Sequence, residues 1–133
     1  MVEDKNQTQK EQEQMKGLLI SPPVTFHRLD LSFPAKSPLL ALTYIGAALK
    51  GAMHEVKILD CVTSSKCNYH IDSKFTRYSL SDDEILENIR SFNPDVVGIS
   101  CMYTSNFNDS HNVVRIVKTF LLGDIILCVV FSE

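Results

Sequence analysis

Short apolar runs alternate with stretches of helical spacing along most of this chain. Gly17-Leu18-Leu19-Ile20 is an uninterrupted apolar run, the pattern of a strand covered on both faces, and Ser21-Pro22-Pro23 ends it in a prolyl loop reaching Lys36. Beyond the loop, Ser37 can cap a helix whose first turn holds Pro38, where a missing N–H costs nothing. Leu39, Leu42, Ile45, Ala48 and Leu49 recur at helical spacing, Gly46 is small enough for close approach to a sheet, and Gly51 is a suitable stop. His54 to Asp60 reads as a second strand, with Val56 and Ile58 on one face.

Cys61 to Leu80 reads as a long irregular connection. Ser81-Asp82-Asp83-Glu84 then forms a capping box: the Ser81 hydroxyl accepts from the Glu84 N–H, and the Glu84 carboxylate accepts from the Ser81 N–H. This helix has Ile85, Leu86, Ile89 and Phe92 as its apolar stripe. Asn93-Pro94-Asp95 breaks it before a buried strand, Val96 to Ser100. A third helix starts near Thr104 or Asn106, with Val113, Val114, Ile116, Val117, Phe120 and Leu121 inward, and Ile125 to Phe131 is a fourth strand. Strict alternation of strand and helix predicts an α/β fold: a three-layer, Rossmann-like (flavodoxin-like) parallel sheet of about four strands in the order 2-1-3-4.

Composition changes the picture little. With 133 residues and 44% hydrophobic content the chain has room for one buried core. Residues 1–15 are Gln-, Glu- and Lys-rich and read as a disordered polar leader, leaving 16–133 as the α/β domain. A net charge of -3 without a basic run interleaved with aromatics excludes nucleic acid as a partner. Leu18-Leu19-Ile20 is too short for a signal-peptide core or a membrane span, so a cytoplasmic location is expected. Cys61, Cys67, Cys101 and Cys128 have neither zinc nor redox spacing and read as reduced thiols.

The order and spacing of Ser21-Pro22-Pro23, Pro38 to Lys50, His54-Glu55-Val56-Lys57-Ile58-Leu59-Asp60 and Asn93-Pro94-Asp95-Val96-Val97-Gly98-Ile99-Ser100 are those of a known family. The chain resembles the amino-terminal cobalamin-binding domain of radical S-adenosylmethionine (radical SAM) proteins. The resemblance implies cobalamin as cofactor and a radical SAM domain as partner. It places the site at the carboxyl ends of the first and third strands: Ser21, Pro22 and Pro23, with Ser100, Cys101, Met102, Tyr103 and Thr104. Open α/β sheets bind ligands at that edge, and a broad apolar ring with amide arms suits flat apolar walls plus a few hydroxyl donors.

The family pattern is departed from in three places. No Asp-x-His-x-x-Gly is present, and His27, His70 and His111 do not match it, so cobalamin is expected without a protein histidine on cobalt. Met53 stands where the family has a helix-ending glycine, so Gly51 is expected to take over the stop. The fourth strand runs into Val130-Phe131-Ser132-Glu133 without the family's Gly-Gly turn, and neither a fifth strand nor a Cys-x-x-x-Cys-x-x-Cys cluster motif follows. The fold is therefore expected to be incomplete at its carboxyl end, with the last strand's edge open to self-association.

No catalytic motif is present: no Gly-x-Gly-x-x-Gly, Walker loop or Gly-x-Ser-x-Gly, and no acceptor Asp of a phospho-receiver domain at the end of the third strand. Asp82, Asp83 and Glu84 are accounted for by capping. Cys101, at a strand end before a helix, lacks a neighbouring base and reads as an unreactive thiol. The leading expectation is a cobalamin-binding accessory domain or fragment of a radical SAM protein. The competing one is a non-catalytic α/β relic or interaction module that binds no cofactor. A small enzyme built on Cys101 has little in its favour.

Overall fold

The computed structural model describes residues 13–27, 40–62, 68–70, 73–101, 107–121 and 126–130. The chain runs β1 (Lys16–Ser21), β2 (Val24–His27), α1 (Leu40–Gly51), β3 (Glu55–Asp60), β4 (Asn68–His70), β5 (Phe75–Tyr78), α2 (Asp82–Phe92), β6 (Val96–Cys101), α3 (Phe107–Phe120) and β7 (Ile126–Val130). A four-stranded sheet has the order β3-β1-β6-β7, with every neighbouring pair parallel. Numbered among themselves, these strands stand in the expected order 2-1-3-4.

Alternation along each strand divides the core into two layers. Leu18, Ile20, Leu59, Val97 and Ile99 face α2 and α3, where they meet Ile85, Ile89, Val113 and Val117. All the α2 and α3 residues of that set are fully buried, each contributing about 1.5–3 kcal/mol by leaving water. The opposite face holds Leu19, Val56 and Ile58, and α1 lies against them at Gly46, where an added Cβ would meet all three at 3.5–3.7 Å.

α2 begins as its residues dictate. Ser81 N–H donates to Glu84 Oε2 at 3.0 Å, and Glu84 N–H donates to Ser81 Oγ at 3.2 Å. It ends at Asn93, left-handed at φ 52°, whose N–H donates to the Ile89 carbonyl at 2.9 Å. α1 ends differently from expectation. Gly51 is its last helical residue, yet the left-handed position falls on Met53 at φ 69°. Met53 N–H donates to the Lys50 carbonyl and His54 N–H to the Leu49 carbonyl, both at 3.0 Å. That pair of bonds is the Schellman arrangement, which fixes the residue between Ala52 and His54 as left-handed whatever its side chain.

A second correction concerns the connections. Where a prolyl loop from Ser21 to Lys36 and an irregular connection from Cys61 to Leu80 are expected, the chain contributes β2, β4 and β5 to a three-stranded antiparallel sheet of order β2-β5-β4. Thr76 and Arg77 at its centre are both buried although they point to opposite faces. The Ser37–Pro38 helix start, Cys67, Met102 to Asn106 and the turn at Gly123-Asp124 lie outside the described residues.

Candidate functional site

Register fixes what meets at the carboxyl end of the parallel sheet. Ser21 stands opposite Asp60, Ile20 opposite Ile99, Ser100 opposite Val129 and Cys101 opposite Val130. Ser21 and Ser100 therefore end adjacent strands, and alternation puts both on the α1 side together with Gly98. Both serines are half-buried, while Pro22 and Pro23 are buried. A Cβ at Gly98 would come within 2.9 Å of Leu19 Cδ2, so only glycine leaves that side chain in place and the floor beside Ser100 flat.

Hydrogen bonds to backbone carbonyls hold this edge together. Cys61 N–H donates to the Ser21 carbonyl at 3.1 Å, Leu80 N–H donates to the Cys61 carbonyl at 3.0 Å, and the Ser110 hydroxyl donates to the Ser100 carbonyl at 3.2 Å. Cys101, the remaining described residue of the expected set, is 2% exposed and alternates onto the α2/α3 face with Val97 and Ile99. Its thiol is thus separated from the two serines. Met102, Tyr103 and Thr104 lie outside the described residues. Cys61 is buried as well, and burial, reinforced by the Asp60 charge and opposed by Arg77, pushes its thiol up to about 12. It stays protonated at neutral pH and offers no thiolate.

The structure adds a polar group that sequence reading missed. The small sheet and the first turns of α2 and α3 line an open cavity of about 440 Å³. Thr25 Oγ1 donates to Asp109 Oδ1 at 2.9 Å, joining the segment after β1 to the helix after β6. Arg77 Nη2 donates to Asp82 Oδ1 at 3.0 Å, and Asn112 Nδ2 donates to the same oxygen at 3.3 Å. Burial raises the Asp109 carboxyl above its ordinary value, against the Thr25 hydrogen bond and the Arg77 charge. Phe75 forms a wall and meets His27 edge-on, with ring centroids 5.6 Å apart. Phe75-Thr76-Arg77-Tyr78 has strand-forming composition, which was the available signal, but a charged residue within it argues against burial until its partner Asp82 is known.

The histidines are dispersed. His54 Nδ1 accepts from the Met15 N–H at 3.1 Å, at the amino end of the sheet, and His111 stacks on Phe107 on the outside of α3. His27 is exposed on β2, and His70 lies on β4. Among the described residues no three His, Cys, Asp or Glu side chains group as metal ligands, and no helix is long and apolar enough to cross a membrane.

Sequence comparison adds a family to this architecture: the B12 binding domain family matches residues 29–128. The chain belongs to that family, a family of cobalamin-binding domains. Among curated relatives it is similar to cytidylyl-2-hydroxyethylphosphonate methyltransferase of Streptomyces wedmorensis, at 38% identity over 104 residues. The matched region is 76% of this chain and 19% of the relative, so the chain spans about a fifth of the length of that enzyme. No solved structure matches the chain.

Proposed function

We propose that this chain holds cobalamin against the carboxyl ends of β1 and β6, as the cofactor-carrying part of a radical SAM methyltransferase. The observation that carries the reading is the parallel register of β1 and β6, Ile20 opposite Ile99, which leaves Ser21 and Ser100 on one face near the ends of adjacent strands, beside Gly98 and the buried Pro22 and Pro23. The two hydroxyls suit the amide arms of a corrin, and the glycine and prolines suit its flat apolar face. Met102, Tyr103 and Thr104 follow in the chain and are proposed to complete the edge, to which Cys101, its thiol buried on the α2/α3 face, would add only backbone. The radical SAM assignment rests on the family resemblance.

When bound, cobalamin supplies a cobalt centre able to carry a one-carbon group. The chain's own residues would position the ring and keep water from one of its faces. No histidine of this chain is proposed as a cobalt ligand, since none stands at the Asp-x-His-x-x-Gly spacing. The relative's name states a cytidylyl-linked phosphonate as what it methylates, and we extend that substrate class to the protein this chain serves.

Gel filtration after incubation with hydroxocobalamin tests the reading. The purified chain is expected to retain the corrin absorption band, Ser100→Phe to lose it, and His27→Ala, His70→Ala and His111→Ala to keep both the band and its position. Loss of the band from the unmodified chain would favour the cofactor-free relic. A shifted spectrum in any one histidine variant would identify a cobalt ligand.

A further inference from the structure

We propose that the cavity between the small antiparallel sheet and the first turns of α2 and α3 seats a pyrimidine base of the substrate, with cytosine preferred over uracil. This deepens the preceding reading and rests on it, because it assigns a place to the base of a cytidylyl-linked substrate. The cavity is lined by residues of the small sheet and of the first turns of α2 and α3, and Ser21, Gly98 and Ser100 are not among them, so base and corrin do not compete for the same residues.

The volume, about 440 Å³, lies within the range of roughly 300–1,000 Å³ common for small-ligand pockets. Phe75, 41% exposed, offers a ring face against which a planar base can stack. Arg77, whose guanidinium is held on Asp82, shares the lining with a second carboxyl group, that of Asp109. Such a lining suits a neutral heterocycle better than a phosphate or phosphonate.

The lining supplies both kinds of partner that cytosine's hydrogen-bonding edge needs, since that edge presents two acceptors, O2 and N3, and one donor, the N4 amine. Arg77 supplies N–H donors, and the Asn108 and Asn112 amides stand one turn apart on α3. Asp82 supplies the acceptor. A carboxylate offers about four acceptor sites, and the bonds from Arg77 and Asn112 both fall on Oδ1. An Asp accepting from the N4 amine is a recurrent way of reading cytosine. Uracil, with an oxygen at that position, would face the carboxylate with another acceptor.

The test is titration of the 133-residue chain, with and without saturating hydroxocobalamin, by cytidine 5′-monophosphate, uridine 5′-monophosphate and methylphosphonate, followed by NMR. The cytidine nucleotide is expected to bind about tenfold more tightly than the uridine nucleotide, and methylphosphonate not to saturate. Phe75→Leu should weaken both nucleotides alike by about tenfold. Asp82→Asn, whose amide can turn to donate, should bring their ratio to about unity. Asn112→Leu should weaken cytidine binding while leaving the Arg77–Asp82 pair in place, a control should Asp82→Asn disturb α2.

Equal affinity for the two nucleotides, a ratio unmoved by Asp82→Asn, or no saturable binding up to about 10 mM would overturn the assignment. Displacement of the nucleotide by dicyanocobinamide would also overturn it, by placing the corrin's own amide arms in the cavity. A chain that retains hydroxocobalamin but binds no cytidine nucleotide rejects the base site alone, whereas one that retains neither rejects the cobalamin reading with it.

Discussion

Met53 is held at φ 69° by two backbone bonds that close the end of α1. A left-handed residue with a Cβ costs about 1–2 kcal/mol, whereas glycine there gives back about 0.5–1 kcal/mol in unfolded-state entropy. Met53→Gly is therefore expected to stabilise the chain by about 0.5–1 kcal/mol, read as a higher urea midpoint with unchanged slope. An unchanged or lower midpoint would mean that the exposed Met53 side chain makes a compensating contact. The departure from glycine was legible in the sequence, but its consequence was not. Gly51 looked free to absorb the turn, yet the bonds from Met53 to Lys50 and from His54 to Leu49 fix where the left-handed residue falls. Asp109 and Arg77 were illegible for a related reason. Each is a charged residue whose burial makes sense only beside a partner far along the chain or across a helix start: Thr25 for one, Asp82 for the other.

At the scale of elements, α2 was the most legible. Its cap, apolar stripe and stop are all local, and all are realised in Ser81, Glu84, Ile85, Ile89 and Asn93. Because the Ser81 hydroxyl meets an N–H that nothing else in the helix can satisfy, Ser81→Ala is expected to cost about 0.5–2 kcal/mol. Denaturant titration checks this, and no change would mean that water replaces the cap without loss. The small sheet was missed because its strands are only three or four residues long, and β2 begins just after Pro22-Pro23. Pairing between β2 and β5 joins Val24 to Tyr78, a separation that no local pattern announces. The missed sheet also lines the polar cavity, so the same blind spot hid both.

At the scale of the molecule, the strand order was legible because β1, β6 and β7 are nearly unbroken apolar runs, β3 has an apolar face at Val56 and Ile58, and each crossover contains a helix. The carboxyl-edge location of Ser21 and Ser100 follows from that topology. β7 lies at one end of the sheet, paired with β6 among the described residues. Ile125 to Phe131 has high β-propensity, no charge and no proline, a composition that lets an uncovered edge add to another chain. The purified chain is expected to scatter light increasingly with concentration, and Val129→Lys to suppress this. A monodisperse monomer unaffected by the lysine would show that the edge is covered.

The central claim is that cobalamin sits on the carboxyl edge of this sheet, and a hydrogen-exchange footprint tests it most directly. Backbone amides would be compared with and without saturating hydroxocobalamin. Added protection is predicted for peptides spanning Ile20 to Val24 and Gly98 to Cys101, with no change at the amino edge around Lys16, Glu55 and Val96. Protection confined to the amino edge, or none in a chain that retains the corrin band, would contradict it.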